Sequence, residues 1–195
     1  ENDVTICSIF VNPLQFNNSE DLEKYPQTLS RDISLLEKED CHFLFNPAAT
    51  DFYKNVEPKK YDFENLGKVM EAIYRPDHFE GVATVVGELF KAISPTRAYF
   101  GEKDYQQLAV VRWVVRNEQY PVKIIPCSTV RNEDGLALSS RNERLSDEGL
   151  KTATRIFEVM QLCRLNERDL KPKELAQAAK EGLEKDFEVA KNTDL

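Results

Sequence analysis

The sequence predicts an α/β fold: a Rossmann-like parallel sheet with helices on both faces, followed by the start of a smaller helical domain. Three observations carry this. The run VTICSIFV at Val4–Val11 is almost continuously apolar and β-branched, the pattern of a strand buried on both faces inside a parallel sheet. Further strand candidates alternate with amphipathic helical patterns in the order β-α-β-α-α-β-α-β, which favours parallel pairing. The stretch FGEKDYQQL, Phe100–Leu108, places Gly101 at a strand-to-helix turn, where a missing Cβ permits a sharp turn or close approach to a ligand.

The elements follow in order. The first strand ends at Asn12-Pro13, and Gln15 and Phe16 lie on the loop beyond it. Glu20–Thr28 is polar and reads as irregular, with Tyr25-Pro26 as a stop. Leu29, Ile33 and Leu36 mark a helix over about Leu29–Glu39. His42–Asn46 is a short strand closed by Pro47, and His42 beside it reads as structural. Ala48–Tyr61 reads as loop, with Pro58 and the pair Lys59-Lys60. Phe63, Leu66, Met70 and Ile73 form the apolar stripe of one helix, broken by Arg75-Pro76-Asp77-His78-Phe79. His78 too reads as a satisfied structural residue. Gly81 introduces a strongly periodic helix through Val82, Val85, Val86, Leu89, Phe90 and Ile93, and Pro95 ends it. The strand Arg97–Phe100 leads into the GEKD turn and a helix to about Gln119 carrying Leu108, Val111, Val114 and Val115. Val122–Pro126 is the next strand, and Ser128–Val130 is extended. Asp134-Gly135 is a turn signal. Ser146 caps a helix with Leu150, Ala153, Phe157 and Met160; Pro172 opens a last one with Leu175, Ala179 and Leu183, and Lys185–Leu195 fades without a clear ending. Composition turns helical and polar near Arg144, which divides the chain into residues 1–144 and 145–195.

Bulk properties narrow the function. The chain has 195 residues, 41% of them hydrophobic, enough for a sizeable core. A formal net charge of −8 argues against general binding to nucleic acid or anionic membrane. Cys7, Cys41, Cys127 and Cys163 form no CxxC pair and read as reduced thiols in a cytoplasmic protein. No apolar run approaches the roughly 18 residues of a membrane span, and no signal-peptide pattern opens the chain.

Two stretches carry chemistry. In the first, a helix N-terminus near Gly101 would offer N–H groups and partial positive charge to a phosphate. Lys103 adds a cation, Asp104 suits a ribose hydroxyl, and Gln106 and Gln107 suit a carboxylate or hydroxyl held without titration. In the second, Ser139, Ser140 and Arg141 combine two hydroxyls with a guanidinium, which suits phosphate oxygens. Both stretches also read as helix-start loops. Gln15 lies where ligands bind in open α/β sheets, at the C-terminal end of a strand.

SIFVNPLQF, YRPDHFEGVATVV, YFGEKDYQQL and DGLALSSRN occur in the order and spacing found in the pantothenate synthetase family, and the resemblance runs from about Val4 to Leu145. It implies a fold of the nucleotidyltransferase type and a two-step ligation. ATP activates the pantoate carboxylate as pantoyl adenylate, and β-alanine then displaces AMP. It further implies Mg2+ accompanying the ATP, and a cytoplasmic homodimer. Carried over by position, it assigns Gly101, Glu102, Lys103, Asp104, Val130, Leu138, Ser139, Ser140 and Arg141 to ATP, with Lys103, Ser139, Ser140 and Arg141 as the catalytic group. Gln15 and Gln107 are assigned to pantoate, with Gln15 also near β-alanine. The family's two-histidine motif, His-x-Gly-His, has no counterpart around His42 or His78. The chain is therefore expected to start after that motif and its strand, to lack the strands that follow in the second domain, and to bind ATP weakly. Val4–Val11 would then lack a neighbour, and an exposed apolar edge invites pairing with another chain. Asp77 stands for the family's usual glycine and Glu80 for its usual arginine, both adding negative charge near the anion site. The other readings are a nucleotidyltransferase acting on a different small acid, and a non-catalytic nucleotide-binding or dimerising fragment.

Overall fold

The computed structural model describes residues 2–17, 19–57 and 59–191, with side chains through residue 184. Pro58 and residues 192–195 of the sequence reading lie outside them. The chain divides into two compact units, Glu1–Cys127 and Ser128–Leu195. Composition changes near Arg144, but contacts divide the chain earlier. The residues after Cys127 turn back onto the following helix: the Arg131 guanidinium lies 4.4 Å from the centre of the Phe157 ring, and a Cβ on Gly135 would overlap that ring.

In the first unit β1 (Ile6–Ser8) leads through α1 (Ser19–Glu23) and α2 (Leu29–Lys38) to β2 (Phe43–Phe45), its parallel partner, with Ile6 opposite Phe43. Then come α3 (Ala49–Phe52), α4 (Glu71–Tyr74) and α5 (His78–Ile93). β3 (Arg97–Gly101), α6 (Tyr105–Asn117) and β4 (Lys123–Cys127) form a second parallel pair, with Phe100 opposite Pro126. The pairing is parallel, as read from the sequence, but it makes two two-stranded sheets among the described residues. Asn2, before β1, ties this end of the chain to β3: it bonds the Tyr99 hydroxyl at 3.1 Å and accepts from Arg97 at 3.5 Å.

Val4–Val11 is not a strand buried on both faces. Only three of its residues are strand, and Ile6 is 43% exposed. β1 pairs on one side only among the described residues, so its apolar side chains are half covered. The core lies instead where α5 meets α6. Val82, Ala83, Val85, Val86 and Phe90 pack against Val110, Val111 and Val114, with Phe63 and Val122. A helix crossing this sheet must be apolar over a wide face, which explains the density of valines.

Three local readings change. Ser19–Glu23 and Ala49–Phe52 are short helices where the sequence read irregular chain. The stripe Phe63–Ile73 is not one helix: a 3-10 turn at Glu64–Lys68 and α4 are separated by Met70, at φ 51°. The cause is Gln106, buried on α6. Its amide donates to the Leu66 and Val69 carbonyls and accepts from the Glu71 N–H, each at 2.8 Å, so it replaces helical hydrogen bonds at the break. Lys123 N–H donates to Thr96, so alternate residues of β4 face β3, and Pro126, three positions on, faces away from it. In the second unit α7 (Asp147–Leu165) is capped by Ser146, whose hydroxyl accepts from Gly149 N–H at 3.0 Å. α8 (Pro172–Lys191) packs on α7, and runs well past the point where the sequence pattern fades.

Candidate functional site

Two loops leave the C-terminal ends of β1 and β3. The first is the 3-10 turn Pro13–Gln15, the second the 3-10 turn Glu102–Asp104, after which α6 begins at Tyr105. The helix N-terminus expected at Gly101 is thus displaced by one turn. Gly101 has φ −68° and ψ 135°, an ordinary extended conformation, so no sharp turn explains it. A Cβ there would meet nothing within 4 Å, which leaves open space beside the backbone. Lys103 and Asp104 are exposed and lie 3.7 Å apart as an ion pair of little stabilising value.

Asn12 is the hub of the first loop and is 2% exposed. Its amide oxygen accepts from Leu14 N–H at 3.0 Å and from the Tyr53 hydroxyl at 2.8 Å. Its nitrogen donates to the Gly81 carbonyl at 3.0 Å and to Gln15 Oε1 at 3.4 Å. Gly81 is indispensable here, because a Cβ would stand 2.6 Å from the Leu14 carbonyl carbon and 2.9 Å from Gln15 N. The Gln15 carbonyl accepts from His78 Nδ1 at 2.8 Å and from Arg75 Nη2 at 3.2 Å.

The same network reaches the second loop. Arg75 pairs with the Glu71 carboxylate at 2.5 Å, and the Glu71 N–H is held by Gln106, the second residue of α6. Burial holds His78 below its ordinary value of 6.5, against the hydrogen bond to Gln15. Among charged neighbours Arg75 lowers it further, while Glu71 and Asp104 raise it. Asp104 therefore acts electrostatically on a ring bonded to Gln15, although the two loops are far apart in sequence.

Gln106 does not face a ligand; its amide is consumed inside the fold, which corrects the reading of it as a carboxylate holder. Gln107 is half-buried, one position on. Asn12, Arg75 and His78 are the residues that sequence reasoning undervalued. For Arg75 and His78 the signal was the density of polar residues flanking the turn at Asp77; Asn12 read only as the end of the first strand. Asp77 itself has φ 59°, the left-handed conformation that glycine adopts without cost, which accounts physically for a glycine in the related motif.

The Ser139 group lies in the second unit. Leu138 N–H bonds the Val130 carbonyl at 2.9 Å, and Gly135 N–H, with Gly135 at φ 84°, bonds the Asn132 carbonyl at 3.0 Å and closes the turn between them. Ser139 caps the 3-10 turn Ser140–Arg144, its hydroxyl accepting from Arg141 N–H at 3.3 Å. Val130 and Leu138 remain exposed apolar side chains beside it, and Arg141 is exposed. Among the described residues no group of three His, Cys, Asp or Glu side chains is placed to hold a metal. No helix of the described residues is long and apolar enough to cross a membrane.

The family described as pantoate-beta-alanine ligase matches residues 1–195. The pantothenate synthetase of Bacteroides fragilis is 48% identical over 160 residues, covering 82% of this chain and 57% of its own length. That of Aquifex aeolicus is 45% identical over 175 residues, covering 88% of this chain and 62% of its own. Among solved structures, pantothenate synthetase from Thermus thermophilus superposes with a TM-score of 0.89 at 43% identity, over 94% of this chain and 67% of that one. The pantoate-beta-alanine ligase of Francisella tularensis, complexed with beta-gamma ATP and beta-alanine, gives 0.77 at 38% identity, over 93% and 69%. The chain thus spans less than two thirds of the length of these curated relatives.

Proposed function

This chain belongs to the pantoate-beta-alanine ligase family, and from that premise we propose that it acts in the ATP-dependent ligation of pantoate and β-alanine to pantothenate, through pantoyl adenylate. The observation that carries the reading is the hydrogen-bonded path from Gln106, beside the GEKD turn, through Glu71 and Arg75 to Gln15. It supports the reading because it links the Gln15 turn to the residue beside the GEKD turn, and both turns follow the C-terminal ends of parallel strands, where such folds bind ligands.

In this reading Gln15 and Gln107 hold pantoate, and the GEKD residues hold ATP, together with Val130 and the Leu138–Arg141 stretch. A pantoate carboxylate oxygen attacks the α-phosphorus of ATP and pyrophosphate leaves. The β-alanine nitrogen then attacks the acyl carbon, loses a proton, and AMP leaves. The protein supplies alignment and neutralisation of the developing phosphate charge, which is most of what such a reaction needs. Lys103, Arg141 and the hydroxyls of Ser139 and Ser140 are the neutralising and orienting groups. The exposed carboxylates of Glu102 and Asp104 suit magnesium arriving with the nucleotide, since that ion keeps waters and takes only one or two protein ligands. When bound, it neutralises phosphate charge. A cytoplasmic homodimer completes the proposal.

The test is titration calorimetry with ATP and magnesium, alongside pyrophosphate release dependent on pantoate and AMP formation dependent on pantoate and β-alanine. Lys103→Ala is expected to weaken ATP binding by roughly ten- to a hundredfold, the effect of one charge-assisted hydrogen bond. ATP binding without pantoate-dependent pyrophosphate release would reduce the chain to a nucleotide-binding fragment. Release with another small acid and not pantoate would change the substrate.

A further inference from the structure

Resting on the assignment of Gln15 to pantoate, we propose that His78 is a positioning residue. Its Nδ1–H, with Arg75, fixes the Gln15 peptide so that the Gln15 amide offers its N–H donors to the acid.

A carbonyl oxygen only accepts, so the 2.8 Å bond from His78 to Gln15 puts the proton on Nδ1. His78 is 4% exposed, which keeps the ring neutral and the tautomer single. Arg75 adds a second donor to the same oxygen at 3.2 Å. Gln15 ends a three-residue turn whose backbone lies close against Gly81, and its carbonyl is held by His78 and Arg75. Its carbonyl and its side chain hang from one Cα, so anchoring the carbonyl holds that Cα in place, and a shift of the Cα displaces the amide. Asn12 donates to Gln15 Oε1, which commits the amide oxygen inward. Nε2 then carries the free hydrogen-bonding capacity, and two N–H donors suit a carboxylate or hydroxyl oxygen of the substrate and reject a cation.

The variants are His78→Ala, which removes the donor, and His78→Asn, whose Nδ2 occupies nearly the place of Nδ1 and can donate to the same carbonyl. In the full chain His78→Ala is expected to raise the half-saturating concentration of pantoate about tenfold and leave that of ATP within about twofold. His78→Asn is expected to recover most of the loss. Nitrogen-15 spectra of the unsubstituted chain should show His78 protonated on Nδ1 alone. Equal changes for pantoate and ATP, an Asn variant no better than Ala, or a proton on Nε2 would each overturn the inference. If the unsubstituted chain binds no pantoate, the functional reading fails by itself. The positioning role then stands or falls on hydrogen exchange at Phe16 N–H, which donates to the Pro13 carbonyl across the turn. Exchange should quicken in His78→Ala and slow again in His78→Asn, and unchanged exchange refutes the role.

Discussion

Gly81→Ala tests the central contact of the first unit. The new methyl would stand 2.6 Å from the Leu14 carbonyl carbon and 2.9 Å from Gln15 N, where real Cβ atoms essentially never come within 3.0 Å. Backbone stands in the way, so no side chain can swing aside, and the Leu14–Gln15 peptide must retreat by about 1 Å. Overpacking of this kind costs about 1–3 kcal/mol. Retreat also stretches the bonds of Asn12 to Gly81 and of His78 to Gln15, at about 1 kcal/mol each. Against this, alanine is favoured over glycine inside a helix by about 1 kcal/mol. The balance is a loss of about 2–4 kcal/mol, read as a lower urea midpoint at unchanged slope, with pantoate affinity falling more than ATP affinity. Gly87→Ala on the same helix is the comparison. There a Cβ would lie 3.1 Å from the Tyr120 hydroxyl, the movable end of a side chain, and the change should be near neutral. If Gly81→Ala proves as stable as Gly87→Ala and leaves pantoate binding unchanged, the close approach of α5 to the Gln15 turn is not what holds that turn.

Asp77→Gly should stabilise the chain by about 1 kcal/mol in urea unfolding, because Asp77 at φ 59° holds a left-handed conformation that costs other residues about 1–2 kcal/mol. Gln106→Leu should cost about 2–4 kcal/mol by the same assay, since it strands the Glu71 N–H and two carbonyls at once. His78 gives the pH dependence. Its pKa is lowered on folding, so below about 6.5 the unfolded chain takes up a proton that the folded chain does not. Stability is then full above pH 6.5 and falls as pH drops toward the folded value, by up to about 1.4 kcal/mol per unit. His78→Asn should remove that part of the slope in unfolding measured from pH 7.5 to 5.

Periodicity made α5, α6, α7 and the short parallel strands legible, because each buries one wide apolar face and the spacing records it. Gly101 and Gln15 were legible as positions at strand ends. The break at Met70 was not, since Phe63, Leu66, Met70 and Ile73 are spaced as in a continuous helix. What interrupts them is the amide of Gln106, far along the chain, and a side-chain hydrogen bond over that separation leaves no local trace. Val4–Val11 misled for a related reason: an apolar run tells that a strand suits burial, and burial itself depends on what lies on its other edge. Asn12 looked like a strand terminator, and only the fold shows it buried and bonded four times over at the start of the Pro13–Gln15 turn. The boundary near Arg144 follows composition, whereas Gly135 and Arg131 join the second unit through a single aromatic ring, Phe157, that composition does not register.

Pro126 gives β4 two unlike edges. On the inward side β4 keeps its donors for β3, beginning with Lys123 N–H. On the outward side the proline presents a ring where a ladder needs an N–H, so a further strand laid there would lose a bond and meet a steric obstacle in mid-length. In the language of chain growth, β4 is a terminated end: edge-to-edge propagation, the first step of fibril formation, is blocked at that rim by one covalent ring rather than by charge.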